Sequence, residues 1–424
     1  MRGGYTDQHS CGCRHGRSET DLVCRHVTED EPCSVSAKTM LELDGVFKRY
    51  GDETSVSDIS LSVREGELVT IVGPSGCGKT TTLRLIAGLE RPTKGSIRLD
   101  GEPVAGDRFV PPERRNVGLV FQEFALFPHM TVRENVGFGI HDWEREEREQ
   151  RVDSLLSLVE LESKGDARPE DLSGGQRQRV ALARALAPEP DVVLLDEPFS
   201  NLDVDLRVRM REEIRSILKR AGVTAISVTH DQEEALSISD RVAVMHDGTL
   251  EQLGHPETVF QRPKSRFVAE FLGDASFLSG RVVGDRVETP AASIPREHIH
   301  GLDPSYERVD VDVLVRPDDI IAIPTEEQQT NGRVSYRRYL GPSVLYRIEL
   351  DNGDVVRCQH NHAERIDLGM RVRVELQADH ELAWFPAESA MTQSIEESDC
   401  SSQTKPMTGE TTAARVESPV VSDD

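Results

Sequence analysis

Long apolar runs are missing from this sequence. No stretch approaches the roughly 18 consecutive apolar residues that a membrane-spanning helix needs, and hydrophobic residues make up only 37% of the 424. The first residues hold no apolar segment of the kind a secretory signal carries. The expectation is a soluble, cytosolic chain whose thiols stay reduced. Lysine is scarce: Lys38, Lys48, Lys79, Lys94, Lys164, Lys219, Lys264 and Lys405 are all there are, and every other basic residue is arginine. Against Lys+Arg 50 stand Asp+Glu 75, a formal net charge of −25, and no basic stripe interrupts the excess. That balance argues against nucleic acid as a partner. Evenly spread acids with little lysine are also the composition of salt-in halophiles, where high salt screens the self-repulsion.

The length suffices for two or three domains with cores of their own. Residues 1–38 read as a disordered N-terminal extension, polar and without apolar periodicity, and residues 387–424 as a disordered tail rich in Ser, Thr and Glu. Cys11, Cys13, Cys24 and Cys33 lie in the extension with His9, His15 and His26, but a Cys-x-Cys opening does not fit the usual zinc spacing.

What is present starts at Gly73. Gly73-Pro74-Ser75-Gly76-Cys77-Gly78-Lys79-Thr80-Thr81 is G-x-x-x-x-G-K-[ST], entered from the apolar run Leu68–Val72 and left through Thr82-Leu-Arg-Leu-Ile-Ala-Gly. Strand, glycine loop, then helix is the context that makes this motif specific. Its glycines let backbone N–H groups curl around a triphosphate, and the helix start adds the positive end of its dipole. Lys79 supplies a point charge for the β- and γ-phosphates, and the Thr80 hydroxyl a ligand for Mg²⁺. ATP binding is expected.

Three further apolar stretches run into polar groups: Val117-Gly-Leu-Val-Phe into Gln122, Asp191-Val-Val-Leu-Leu into Asp196 and Glu197, and Thr224-Ala-Ile-Ser-Val-Thr into His230. Doubly wound sheets gather ligand groups at the C-terminal ends of their strands, so these are expected on one edge. Asp196 is placed to hold Mg²⁺ through water, and Glu197 to polarise an attacking water. Leu172-Ser173-Gly174-Gly175-Gln176 opens a helix that runs to about Leu186. Ser173 can cap it, and the two glycines permit close backbone approach at a second anion-binding helix start. Thr131 to about Leu161 reads as mostly helical, with the apolar stripe Val152, Leu155, Leu156, Leu158, Val159 and Leu161. Strands are expected around Leu41–Phe47 and Ile59–Val63, with Tyr50 between them.

Over roughly Leu41 to Gly273 this set resembles the ATP-binding cassette (ABC) family. The phosphate loop, Gln122, Leu172–Gln176, Asp196–Glu197, Ser200-Asn201-Leu202-Asp203 and His230 stand in the family's order and spacing, and Leu-Ser-Gly-Gly-Gln is its signature. The resemblance implies an α/β P-loop nucleotide-binding domain over residues 39–274, with a helical subdomain at about 123–172. It implies ATP hydrolysis with Mg²⁺ in a head-to-tail homodimer, the signature residues Ser173, Gly174, Gly175 and Gln176 of one chain facing the γ-phosphate held by Lys79 of the other. By the same likeness Gln122 is a sensor and, with Thr80 and Asp196, completes the Mg²⁺ set. Asp203 communicates between the two sites, His230 contacts the γ-phosphate, and Tyr50 stacks on the base.

From Phe277 to about Phe385 the pattern changes to short β-branched strands: Gly280–Val283, Val311–Val315, Gly332–Tyr336, Val344–Leu350, Val355–Cys358 and Val372–Leu376, with Asp351-Asn-Gly-Asp as a hairpin turn. This small all-β barrel, residues 275–386, resembles the TOBE domain of importer ATPases, Arg316-Pro-Asp-Asp-Ile being one matching stretch. Cys358, His360 and His362 alternate onto one strand face and read as surface polar residues near a turn, with a metal or effector site as the alternative. The layout implies an importer's ATPase subunit, peripheral on the cytoplasmic face of the membrane. Membrane permease subunits and an extracytoplasmic solute-binding protein would be separate chains, and Phe124–Met130 would help form the groove for the permease. Resembling importers carry ferric iron, polyamines, sulfate, thiamine or sugars, and Phe267–Gly273 with Asp274-Ala-Ser-Phe-Leu-Ser-Gly leans toward iron and polyamine. Soluble cassette proteins of ribosomes or DNA ends resemble tandem cassettes or carry coiled-coil insertions, and this chain has neither.

Overall fold

A computed structural model describes residues 38–325, 330–361 and 365–387; the cysteines of the N-terminal stretch, His362 and the tail beyond residue 387 lie outside the described residues. The chain opens with a long hairpin, β1 (Thr39–Tyr50) and β2 (Glu53–Arg64). β3 (Leu68–Val72), buried at every position, then feeds the phosphate loop into α1 (Lys79–Ala87). β4 (Lys94–Leu99) and β5 (Glu102–Ala105) return to the hairpin and complete an antiparallel sheet ordered β2-β1-β4-β5.

β6 (Val117–Val120) leads into the helical region, α2 (Val132–Val136), α3 (Arg145–Leu158) and α4 (Gly174–Leu186). β7 (Val192–Asp196), α5 (Val204–Ala221), β8 (Thr224–Thr229), α6 (Gln232–Ile238), β9 (Arg241–His246) and β10 (Thr249–Gly254) follow. The second sheet is ordered β10-β9-β3-β8-β7-β6. Its central strands are buried at nearly every position because both faces are covered, with Thr70, Thr224, Ser227 and Thr229 buried among the apolar residues. Val193 and Leu195 point into the core beneath α4 and α5, while Val192 and Leu194 join the core shared with α1 and the antiparallel sheet. β3 pairs in parallel with β8, β8 with β7, and β7 with β6, so their C-terminal ends lie on one edge.

The stretch read as mostly helical is divided. A capping box starts α2: the Glu134 N–H donates to Thr131 Oγ1 at 3.2 Å and the Thr131 N–H to Glu134 Oε2 at 2.7 Å. Gly137 ends that helix, a 3₁₀ turn Gly137–Ile140 follows, and α3 begins only at Arg145. Its stripe is buried at Val152, Leu155, Leu156, Val159 and Leu161, with Leu158 partly so.

After α7 (Pro256–Gln261) and α8 (Arg266–Phe271) come β11 (Ser276–Val283), β12 (Arg286–Glu288), β13 (Ser293–Pro295), β14 (Asp310–Val315), β15 (Ile320–Pro324), β16 (Gly332–Tyr339), β17 (Ser343–Leu350), β18 (Val355–Asn361), β19 (Arg371–Leu376) and β20 (Trp384–Pro386). They form two five-stranded antiparallel sheets, β13-β12-β11-β14-β20 and β15-β19-β16-β17-β18, over one core that includes Leu278, Val313, Val334, Tyr346 and Val374. Asp351–Asp354 makes the turn between β17 and β18, with Gly353 at φ 96. The surface reading of Cys358 and His360 is corrected. Cys358 lies in the core, where burial pushes its thiol up to about 12. His360 Nε2 accepts from the Ala322 N–H at 3.2 Å and its ring meets Tyr346 edge-on.

One side chain ties the β region to the helices before it. Arg316, 6% exposed, donates to the Ala269 carbonyl at 2.8 Å and the Phe260 carbonyl at 3.2 Å, with its guanidinium 4.3 Å from the Phe260 ring centre. Arg316→Ala would leave two carbonyls unpaired in a dry junction, at a cost of about 2–4 kcal/mol. The two tryptophans, Trp143 and Trp384, fall on either side of that junction. In urea the variant is expected to lose Trp384 fluorescence before Trp143 fluorescence; an unchanged, coincident transition would contradict the junction's role.

Candidate functional site

The sheet edge presents a loop rich in unpaired amides. Gly76 (φ 84) and Gly78 (φ 99) are left-handed, which lets successive N–H groups face one side. A Cβ on Gly78 would stand 2.4 Å from the Ser55 carbonyl oxygen, and one on Gly73 2.2 Å from that of Met245. Among the described residues nothing accepts a hydrogen bond from the N–H groups of Gly76, Gly78, Lys79, Thr80 or Thr81. Lys79, 6% exposed, folds along the loop and donates to the carbonyls of Gly73 (2.8 Å) and Pro74 (2.7 Å). Cys77 is buried in the same loop, its thiol pushed up by burial and partly brought back by Lys79. Ser55 Oγ donates to Thr81 Oγ1 at 2.9 Å and fixes the loop to β2. Free amides, one buried cation and a helix start make an anion cradle.

β7 and β8 bring the acids and the histidine to the same edge. Asp196 is half-buried, and burial followed by the charge of Glu197 raises its pKa. Among the described residues its carboxylate has no hydrogen bond or ion pair. Glu197 sits at φ 45, its N–H donating to the Val228 carbonyl at 3.0 Å and its carbonyl accepting from Ser200 Oγ at 3.0 Å. Its Oε1 lies 3.2 Å from His230 Nδ1. Two adjoining carboxylates, with the charge of Arg84 acting on Asp196, and the Thr80 hydroxyl at the start of α1 are hard-oxygen donors of the kind that suits Mg²⁺.

Gln122 departs from the expected place. The ladder ends where Val120 pairs with Leu195, and Gln122 stands exposed in the turn beyond. Its carbonyl accepts from Asn201 Nδ2 at 2.9 Å. At the start of α4, Ser173 and Gln176 form a capping box: the Gln176 N–H donates to Ser173 Oγ (3.3 Å) and the Ser173 N–H to Gln176 Oε1 (2.9 Å). A Cβ on Gly174 would meet Leu202 Cδ2 at 3.1 Å and one on Gly175 Met210 Sδ at 2.8 Å, so the close approach those glycines permit is to the chain's own α5 region. Asp203 caps α5, accepting from the Leu206 N–H at 2.9 Å. Tyr50 is exposed at the end of β1, its ring centre 4.7 Å from Lys48 Nζ.

Parallel register thus collects the phosphate loop, Asp196, Glu197 and His230 on one edge, with Gln122 just past it. Among the described residues, no hydrogen bond or ion pair joins Ser173–Gln176 to Gly73–Thr81. Sequence reasoning missed Asn135, which binds both the N–H (2.8 Å) and the carbonyl (3.1 Å) of Phe127, and Arg184, which binds the carbonyls of Phe124 and Ala125. The Thr131-Val-Arg-Glu134 cap beside Asn135 was a usable signal. Glu234 was missed too: burial raises its carboxyl to about 8, and it accepts from Thr229 Oγ1 at 2.8 Å, directly before His230.

Residues 56–200 match the ABC transporter domain family, and residues 313–384 the TOBE domain. The chain is 46% identical over 317 residues to an Fe(3+) ions import ATP-binding protein of Rhodococcus jostii, spanning 74% of this chain and 88% of that protein. It is 45% identical over 336 residues to a spermidine/putrescine import ATP-binding protein of Chromobacterium violaceum, spanning 75% and 90%. An Fe(3+) ions import ATP-binding protein of Rhizobium etli is 45% identical over 319 residues, spanning 74% and 89%.

Two predictions follow from the geometry. Gly78→Ala places a methyl group against backbone at a left-handed position, so a loss above about 2 kcal/mol in thermal melts and no measurable ATP binding are expected; wild-type affinity would contradict the cradle. For Glu234 the folded carboxyl titrates near 8 against an ordinary 4.5, so between those values the native state holds a proton that the unfolded state has lost. Stability is full below that window, falls through it by up to about 1.4 kcal/mol per pH unit, and is level above it. Glu234→Gln removes the slope, so urea midpoints of the two proteins should diverge from pH 5 to 8 with the variant the more stable; parallel curves would contradict this.

Proposed function

The chain belongs to the ABC transporter family, and from that premise we propose that it is the ATP-hydrolysing subunit of an importer for ferric iron or a polyamine. It works as a homodimer on the cytoplasmic face of the membrane, against separate permease subunits that an extracytoplasmic solute-binding protein supplies. The observation that carries this reading is the Glu197–His230 pair, 3.2 Å apart on the same sheet edge as the phosphate loop. No helix among the described residues is long and apolar enough to cross a membrane. The solute rests on the iron and spermidine/putrescine import proteins that the chain resembles.

Lys79 and the unpaired amides of Gly76, Gly78, Lys79, Thr80 and Thr81 bind the triphosphate, with Tyr50 on the base. Thr80, Asp196 and Gln122 would hold Mg²⁺, which when bound neutralises charge on the phosphates. Glu197 takes the proton of the attacking water. With Nδ1 engaged by Glu197, the Nε2 of His230 is left for the γ-phosphate. Ser173 Oγ uses a lone pair for the Gln176 N–H and keeps its own proton to donate. Because the start of α4 makes no bond with its own loop, a partner's loop in a head-to-tail dimer is the natural recipient. Asp203, capping the next helix, lies between the two sites.

A groove of about 580 Å³, lined in part by His129, Met130, Phe138, His141 and Val152, suits the permease. Phe138 is 46% exposed with its ring 4.4 Å from that of Phe127, so aromatic surface is open beside Gln122's own turn.

Glu197→Gln is expected to bind ATP and dimerise stably while hydrolysing it about 10²–10⁴-fold more slowly; near-normal turnover would remove Glu197 as base. A deletion strain should lose uptake of labelled ferric iron or putrescine and regain it with wild type but not with this variant. Normal uptake of both, with loss of thiamine, sulfate or maltose uptake, would reassign the solute.

A further inference from the structure

Phe124 (φ 62) and Ala125 (φ 47) are consecutive non-glycine residues in the left-handed region. A Cβ disfavours that conformation at each, and a pair persists only where its surroundings impose it. The imposing group is on another element. Arg184, in the last turn of α4, donates from Nη1 to the Ala125 carbonyl at 2.6 Å and from Nη2 to the Phe124 carbonyl at 2.8 Å. Its guanidinium lies 5.6 Å from the ring centre of Phe127. Among the described residues no carboxylate pairs with it. A partly buried cation is therefore committed to two adjacent carbonyls, each taken by a different nitrogen of one planar fork.

We propose that Arg184 is a positioning residue that holds the Phe124–Ala125 turn in its left-handed form and so sets Gln122 at the nucleotide edge. The Phe124 N–H donates to the Phe121 carbonyl at 2.9 Å, closing a turn with Gln122 inside it. Asn201 holds the Gln122 carbonyl from one side, and Asn135 fixes Phe127 from the other. Arg184 supplies the middle restraint. α4 is also the helix that Ser173 opens, so a shift of that helix is passed by Arg184 to Gln122 without a covalent path between them.

This inference rests on Gln122 as a Mg²⁺ ligand, and the test separates the two. On the full nucleotide-free chain, hydrogen exchange of residues 121–128 is followed for wild type, Arg184→Lys, Arg184→Ala and Arg184→Ala with Ala125→Gly. Equilibrium ATP binding, turnover and the Mg²⁺ needed for half-maximal turnover are measured on the same proteins. Arg184→Ala should exchange about 10-fold faster or more in that segment, turn over about 10–100-fold more slowly and need several-fold more Mg²⁺, with ATP affinity within about 3-fold. Arg184→Lys should lie between wild type and the alanine variant, because an ammonium can reach adjacent carbonyls, as Lys79 does, but lacks the fixed fork. Adding Ala125→Gly should return part of the lost turnover, since glycine takes a positive φ unaided. Wild-type exchange of residues 121–128 in Arg184→Ala, or no rescue by Ala125→Gly, overturns the proposal and leaves Arg184 as packing for α4. If Gln122→Ala leaves the Mg²⁺ requirement unchanged, the metal reading fails, while the exchange result on the nucleotide-free chain still decides Arg184.

Discussion

The site depends on the parallel register of β3, β8, β7 and β6. Each strand carries one chemical part at its C-terminal end or just past it, and none of those parts is near the others in sequence. A one-residue slip in the pairing of β7 with β8 would turn the alternation that sends Val193 and Leu195 to one core and Val192 and Leu194 to the other. Burial on both faces therefore fixes where Glu197 and His230 emerge. The loop after β3 adds what side chains cannot: N–H groups with nothing of their own to bond, kept in place by Ser55 and by glycines that no other residue could replace.

Arginine does the same job at three distant places. Arg115 donates to the carbonyls of Leu85, Ile86, Val104 and Val110, with burial lowering its pKa to about 10. Arg184 holds two carbonyls of a turn, and Arg316 two carbonyls of neighbouring helices. In each case a rigid fork replaces the backbone partner that secondary structure would otherwise supply. Among the described residues most acids lie at the surface, where solvent and salt screen them, with Glu67, Glu234 and Asp319 buried.

The phosphate loop was readable residue by residue because glycine spacing, a buried strand and a helix start all state the same backbone path. β3 came out at its observed bounds for the same reason. Gln122 was placed on a strand because Val117 to Phe121 is apolar; the turn that follows uses Phe124 and Ala125, which give no sign of a positive φ. Arg184 could not be singled out from the sequence, since nothing in its neighbours names the carbonyls 59 and 60 positions away. The β region was legible as a kind of structure but not strand by strand. β12, β13 and β20 are each three residues long, too short for alternation to register. Cys358 and His360 were assigned to the surface because period two gives a shared face and not which face.

The Arg316 junction has a consequence for how such chains are assembled from interchangeable parts. Its contacts on the helical side are the main-chain carbonyls of Phe260 and Ala269, which any sequence with those helices offers, and the Phe260 ring. The plug travels with the β module and part of the socket is backbone, so an exchanged module would need its arginine for those carbonyls and matched side chains only for the Phe260 ring and for pairs such as Arg266–Asp312.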